Sequence, residues 1–122
     1  MIKRVLLLED QTVTRRNLAK LLEIDGHEVL TARNALEAQA LCAQQEPDVA
    51  LVDIGLPGLQ GHEWALHLKE ASPETRIIFV SGRPGLAGLD RFGPDVHFLH
   101  KPFDPQQLLD LVAEDSVLPS GA

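Results

Sequence analysis

The chain has 122 residues, with 18 Asp or Glu against 11 Lys or Arg, a formal net charge of -7. That length makes one ordinary domain with one core, and apolar and charged fractions of 44% and 24% exclude a disordered or low-complexity chain. The acidic balance repels phosphate backbones, so no nucleic-acid binding is expected of this chain directly. Cys42 is the one cysteine, which excludes an intrachain disulfide and a cysteine metal cluster. No apolar run approaches the roughly 20 residues of a membrane span. The basic start Lys3-Arg4 leads into only Val5 to Leu8 before Glu9-Asp10, which is no signal peptide, and a cytoplasmic location is expected.

In chain order, Val5-Leu6-Leu7-Leu8 predicts a buried strand, because near-continuous apolarity is what a strand covered on both faces needs. Leu18, Leu21 and Leu22 form the stripe of a first helix that Gly26 stops. Glu28 to Thr31 is a weaker strand. Asn34 with Glu37 three residues on spells a capping box for a second helix carrying Leu36, Ala40 and Leu41 inward, with Cys42 as a small core residue. Val49 to Val52 is again fully apolar. Trp64, read as core, and Leu68 mark a third helix that Ser72-Pro73 ends. Ile77-Ile78-Phe79-Val80 is a third buried strand and Val96 to His100 a weaker last one. Between those two, Gly82 to Pro94 holds four glycines and two prolines, which leaves room for a short helix around Leu86 to Arg91. Asp104-Pro105-Gln106-Gln107 supplies a cap, a proline at the first helical position and a box partner for a final helix, with Leu108, Leu111 and Val112 as its buried face.

Strict alternation of strands and helices predicts an α/β domain, a doubly wound parallel sheet with helices on both faces and right-handed crossovers. The domain is read over residues 1–116, with 117–122 as a disordered tail or the start of a linker.

The chemistry lies where the strands end. The first strand ends in Glu9-Asp10, the third in Asp53, the fourth in Ser81, and the fifth runs into Lys101-Pro102. Ligands of open α/β sheets bind at that carboxyl rim. Clustered carboxylates repel one another unless a cation is present, and an oxygen-only set that leaves room for water suits Mg²⁺, with Mn²⁺ as the alternative. Three carboxylates balance Mg²⁺ plus one ammonium, and such a site has spare donors for an arriving phosphoryl group. A carboxylate nucleophile gives an aspartyl phosphate.

Glu9-Asp10, the run Asp53-Ile54-Gly55-Leu56-Pro57-Gly58 with Gly61, Ser81-Gly82 and Lys101-Pro102-Phe103 together resemble the receiver domain of two-component response regulators, over Lys3 to about Glu114. The resemblance implies a flavodoxin-like, five-stranded sheet of order 2-1-3-4-5. It implies that Asp53 is the phospho-acceptor, taking its phosphoryl group from a phosphohistidine of a sensor histidine kinase or phosphotransfer protein. Glu9, Asp10, Asp53 and the backbone carbonyl of Gly55 would hold Mg²⁺. Ser81 and Lys101 would contact the phosphoryl oxygens, Ser81 and Phe98 would form the switch, Pro57 and Gly58 would shape the loop over the acceptor, and Lys101-Pro102 would be a cis peptide. The domain would then act by protein-protein contact on an unknown output protein or domain, as a monomer or a phosphorylation-dependent homodimer, and catalyse no reaction beyond its own phosphorylation and dephosphorylation. The stretch from Ser81 to Lys101 is slightly short for the family, so the helix within it is expected to be shortened.

Three other readings stand beside this one. A phosphatase with a strand-end Asp needs an acid two residues later, where this chain has Gly55. A mononucleotide binder needs a phosphate-cradling loop where Glu9-Asp10 lies. A degenerate receiver would serve as a phosphorylation-independent scaffold. The five histidines are read as ordinary surface residues, His100 being placed to sense pH near the site, and Arg15-Arg16 as a solvated pair.

Overall fold

The computed structural model describes residues 2–53, 60–81 and 96–114, with the backbone alone described at 60–63 and 81. Strands and helices alternate as β1 (Arg4–Leu8), α1 (Thr12–Ile24), β2 (Glu28–Ala32), α2 (Ala35–Gln44), β3 (Val49–Asp53), α3 (Gln60–Ala71), β4 (Arg76–Ser81), β5 (Val96–His100) and α4 (Pro105–Ala113). All pairings are parallel and the sheet order is β2-β1-β3-β4-β5. The expected order of a doubly wound fold is therefore the observed one. The expected short helix between β4 and β5, the Gly55 carbonyl, Pro57, Gly58 and the 117–122 tail lie outside the described residues.

Successive residues of a strand point to opposite faces, and this splits each apolar run between two layers. Leu6, Leu8, Ala50, Val52, Ile77 and Phe79 face Ala38 of α2 and Trp64, Ala65 and Leu68 of α3. Val5, Leu7, Val49, Leu51, Ile78 and Val80 face Leu18 and Leu22 of α1 and Leu108 and Val112 of α4. The central strands read as continuous hydrophobic segments because both of their faces are covered. No helix among the described residues is long and apolar enough to cross a membrane.

The helix ends follow the sequence signals, with one change of partner. Gly26 takes φ 96°, a conformation that costs a side-chain-bearing residue, just past the end of α1. Asp104 and Gln107 form a reciprocal capping box at α4. At α2, Asn34 accepts the Glu37 N–H at 2.9 Å. The Glu37 carboxylate, however, accepts the Arg33 N–H at 2.8 Å and pairs with its guanidinium at 2.7 Å.

Two sequence expectations are corrected. Leu36 is 77% exposed and Ala40 is exposed, whereas Ala38 is fully buried. A helix that starts at the Asn34 cap turns residues 35, 38, 41 and 42 toward the sheet, so Leu36 falls on the solvent side. His27 is buried, not a surface residue: its Nδ1 accepts the Lys3 N–H at 3.1 Å, and its Nε2 lies 3.4 Å from Asp25 Oδ2.

Candidate functional site

The fold brings Glu9, Asp10, Asp53 and Lys101 to one rim. Glu9 follows β1 and is fully buried, its N–H donating to the Ala32 carbonyl at 3.0 Å. Asp53 ends β3 opposite Val80 of β4 and is 6% exposed. Asp10 is exposed at the mouth. Carboxylate oxygens of these acids lie within 4.8 Å of one another. Lys101 follows β5, and its Nζ donates to Asp53 Oδ2 at 3.2 Å and lies 3.7 Å from Glu9 Oε1.

The electrostatics follow from burial. Glu9 Oε2 accepts the Gln11 N–H at 3.2 Å, while the buried Oε1 lies 3.7 Å from the Lys101 ammonium, beyond hydrogen-bond distance. Loss of hydration, and then a carboxyl–carboxyl hydrogen bond with Asp53, push the Glu9 acid up from 4.5 to about 8, against the smaller opposing effects of the Gln11 N–H and Lys101. Two carboxyl groups bond to each other only when one carries the proton, so at neutral pH Glu9 supplies it. A retained proton shared by two buried acids and an all-oxygen donor set fit a hard divalent cation, which would displace that proton.

Of the other residues singled out in the sequence, Ser81 ends β4 opposite His100 of β5. Phe98 is half-buried on β5 against the α2 and α3 side of the core, its ring centroid 6.2 Å from that of His100. The Lys101–Pro102 peptide is cis. Arg15, read from the sequence as one of a solvated pair, is half-buried and also holds the turn before its helix. Its Nη1 donates to the carbonyls of Glu9 at 3.0 Å and Asp10 at 3.4 Å, and its Nη2 lies 3.5 Å from Thr12 Oγ1. The signal was its place one turn into α1, from which a long side chain folds back over the helix start.

A parallel sheet of this order with acids and a lysine at its carboxyl rim defines a doubly wound α/β domain of the flavodoxin-like class. The sequence model of the response regulator receiver domain matches residues 5–113, and the chain belongs to that family, the receivers of two-component signal transduction. It is 33% identical over 113 residues to the phosphate regulon transcriptional regulatory protein PhoB of Pseudomonas aeruginosa, an alignment covering 88% of this chain and 48% of that protein. With the aerobic respiration control protein ArcA of Escherichia coli K12 it shares 30% over 108 residues, 85% of this chain and 44% of that one. The chain thus spans about half the length of the curated relatives it matches. Among solved structures, a CheY-like receiver domain protein from Methanospirillum hungatei superposes with a TM-score of 0.80 at 30% identity, over 90% of each chain. The chemotaxis protein CheY4 of Vibrio cholerae gives 0.78 at 26% identity, over 90% of this chain and 95% of that one.

Proposed function

We propose that Asp53 is a phospho-acceptor that takes its phosphoryl group from a phosphohistidine of a sensor histidine kinase or phosphotransfer protein. The observation that carries this reading is the Lys101 ammonium, 3.2 Å from Asp53 Oδ2 and 3.7 Å from Glu9 Oε1 at the end of β3. A carboxylate held there by one cation, with a second acid behind it, is a nucleophile whose charge is matched before an anionic donor arrives.

In the transfer, an Asp53 carboxylate oxygen attacks phosphorus in line with the donor. The new O–P bond forms as the P–N bond to the donor imidazole breaks, and the bonding electron pair stays on the imidazole nitrogen, which then takes up a proton. Lys101 meets the charge on the phosphoryl oxygens, and Ser81 donates to one of them. Glu9, Asp10, Asp53 and the backbone carbonyl of Gly55 would hold Mg²⁺, or Mn²⁺ in its place, whose contribution is to offset the charge of the acids and of the transferring group. Beyond the acceptor, Ser81 and Phe98 form the switch, whose two positions differ in the surface shown to an output partner or domain. The domain signals from the cytoplasm by protein contact, as a monomer or as a homodimer formed on phosphorylation, and turns over no substrate besides its own phosphoryl group.

The test is intact mass after incubation with acetyl phosphate, with and without Mg²⁺, on the wild-type chain and Asp53→Asn. One added phosphoryl group that needs Mg²⁺ and vanishes in Asp53→Asn is the expected result. No adduct, and no binding of beryllium fluoride, would make the chain a scaffold that works without phosphorylation.

A further inference from the structure

We propose that Arg15 is a positioning residue that fixes the backbone of the Glu9-Asp10 acid pair for divalent-cation binding; the inference rests on the cation reading of the rim given above. Only three residues, 9 to 11, link the end of β1 to the start of α1, and two of them are acids of the rim. The helix start does little to hold this turn: the cap position is Gln11, whose side chain makes no capping bond, and the first turn of α1 contains no acid. The Gln11 side chain is engaged elsewhere, its Oε1 lying 3.4 Å from Thr14 Oγ1.

Beside the Gln11 N–H bond to Glu9 Oε2, Arg15 supplies a second restraint, on the backbone carbonyls. Its N–H donates to the Gln11 carbonyl at 2.8 Å, which anchors its own backbone one turn into the helix. From there the guanidinium reaches back to the carbonyls of Glu9 and Asp10. Tying two successive carbonyls fixes two peptide planes, and with them the direction of the Cα–Cβ bond of Asp10 between them. Asp10 is exposed, so no packed neighbour sets its carboxylate and the turn must. The positive charge of Arg15 is itself met in part from α2, where Glu37 is held below the usual carboxylate range first by Arg33 and to a lesser degree by Arg15.

Positioning and charge make opposite predictions. As a bare cation beside a cation site, Arg15 opposes metal binding, so its removal should tighten binding. As a clamp on the ligand backbone it favours binding, and loss of such a supporting partner weakens metal affinity about tenfold, the low end for residues behind the ligands. The experiment titrates the whole chain with MgCl₂ in a calorimeter for wild type, Arg15→Ala, Arg15→Lys and Lys20→Ala. The last removes an exposed charge from the same helix without touching the turn. Weaker binding by about tenfold in Arg15→Ala, part-recovery in Arg15→Lys and no weakening in Lys20→Ala are expected. Equal or tighter binding by Arg15→Ala overturns the inference while leaving the cation site standing. No Mg²⁺ binding by the wild-type chain overturns both. Should the alanine variant not fold, Arg15→Lys decides by itself, since it keeps the charge and loses the Nη1 donor that meets both carbonyls: wild-type affinity there counts against the clamp, weakened affinity for it.

Discussion

The Lys101 ammonium donates to Asp53 Oδ2 at 3.2 Å while lying 3.7 Å from Glu9 Oε1, so one cation is shared between the two buried acids of the rim. The proposed role of Lys101 separates transfer from cation binding. Lys101→Ala is expected to slow phosphorylation by acetyl phosphate about 10²-fold, the scale for losing one preorganised donor to a developing anion. Its Mg²⁺ affinity should hold or rise, because a repelling charge has gone. A mass-resolved time course and a calorimetric titration read the two effects separately. A wild-type transfer rate in Lys101→Ala would remove the lysine from the chemistry.

Glu9 ties folding stability to pH. Its acid is pushed up to about 8 from an ordinary 4.5, so between those values the native chain holds a proton that the unfolded chain has released. The contribution of that proton is full below the unfolded value and is lost as pH rises through the folded one. Without divalent cation, Tm is expected to fall between about pH 5 and pH 8, and Glu9→Gln, which cannot lose a proton, should flatten that part of the curve. Calorimetric melts across this window check it. The same slope in Glu9→Gln would place the titration elsewhere.

Cation binding should release the proton that Glu9 retains. Below about pH 8, the heat of Mg²⁺ binding to the wild-type chain is expected to vary with the ionisation enthalpy of the buffer, and apparent affinity should rise with pH. At a Mg²⁺ concentration of about 100 times Kd, the gain in folding stability is about 2.7 kcal/mol, greater than at acid pH where the acids hold their protons. Titrations in two buffers of unlike ionisation enthalpy give the proton count. A buffer-independent heat would mean that Glu9 is already ionised in the free chain.

What the sequence made legible was what is local or periodic. The apolar runs gave β1, β3 and β4 to within a residue at each end, because a strand covered on both faces is apolar nearly throughout. The edge strands β2 and β5, which carry Glu28, Thr31, His97 and His100, read only as weaker signals. The acids and Lys101 were legible because they sit at strand ends, and topology alone carries strand ends to one rim. Less legible were contacts between residues far apart in the chain. His27 is buried because it accepts the N–H of Lys3, 24 residues away. The exposure of Leu36 depends on a helix phase set by its cap. The Glu9 proton arises first from burial of the end of β1 and then from the hydrogen bond to Asp53 across the rim, neither of which any spacing in the sequence encodes.

Arg76 is a further long-range case, and it concerns the end of the fold. It begins β4, is 4% exposed, and donates from Nη1 to the carbonyls of Leu111 at 2.8 Å and Glu114 at 2.9 Å, with Nη2 3.6 Å from Glu114 Oε1. A buried guanidinium thus closes the carbonyl end of α4, where the helix dipole favours a cation. No glycine stop follows in the sequence, since Glu114 is the cap and Asp115 comes after it. Arg76→Met keeps much of the volume but none of the donors, and should cost about 2 kcal/mol in denaturant unfolding, the scale for hydrogen bonds made by a charged group. The loss should be uneven: amide exchange near the end of α4 is expected to speed up more than exchange in α1, which packs on the same face of the sheet. Uniform acceleration of both helices would show that Arg76 contributes to the core as a whole and not to the anchoring of α4.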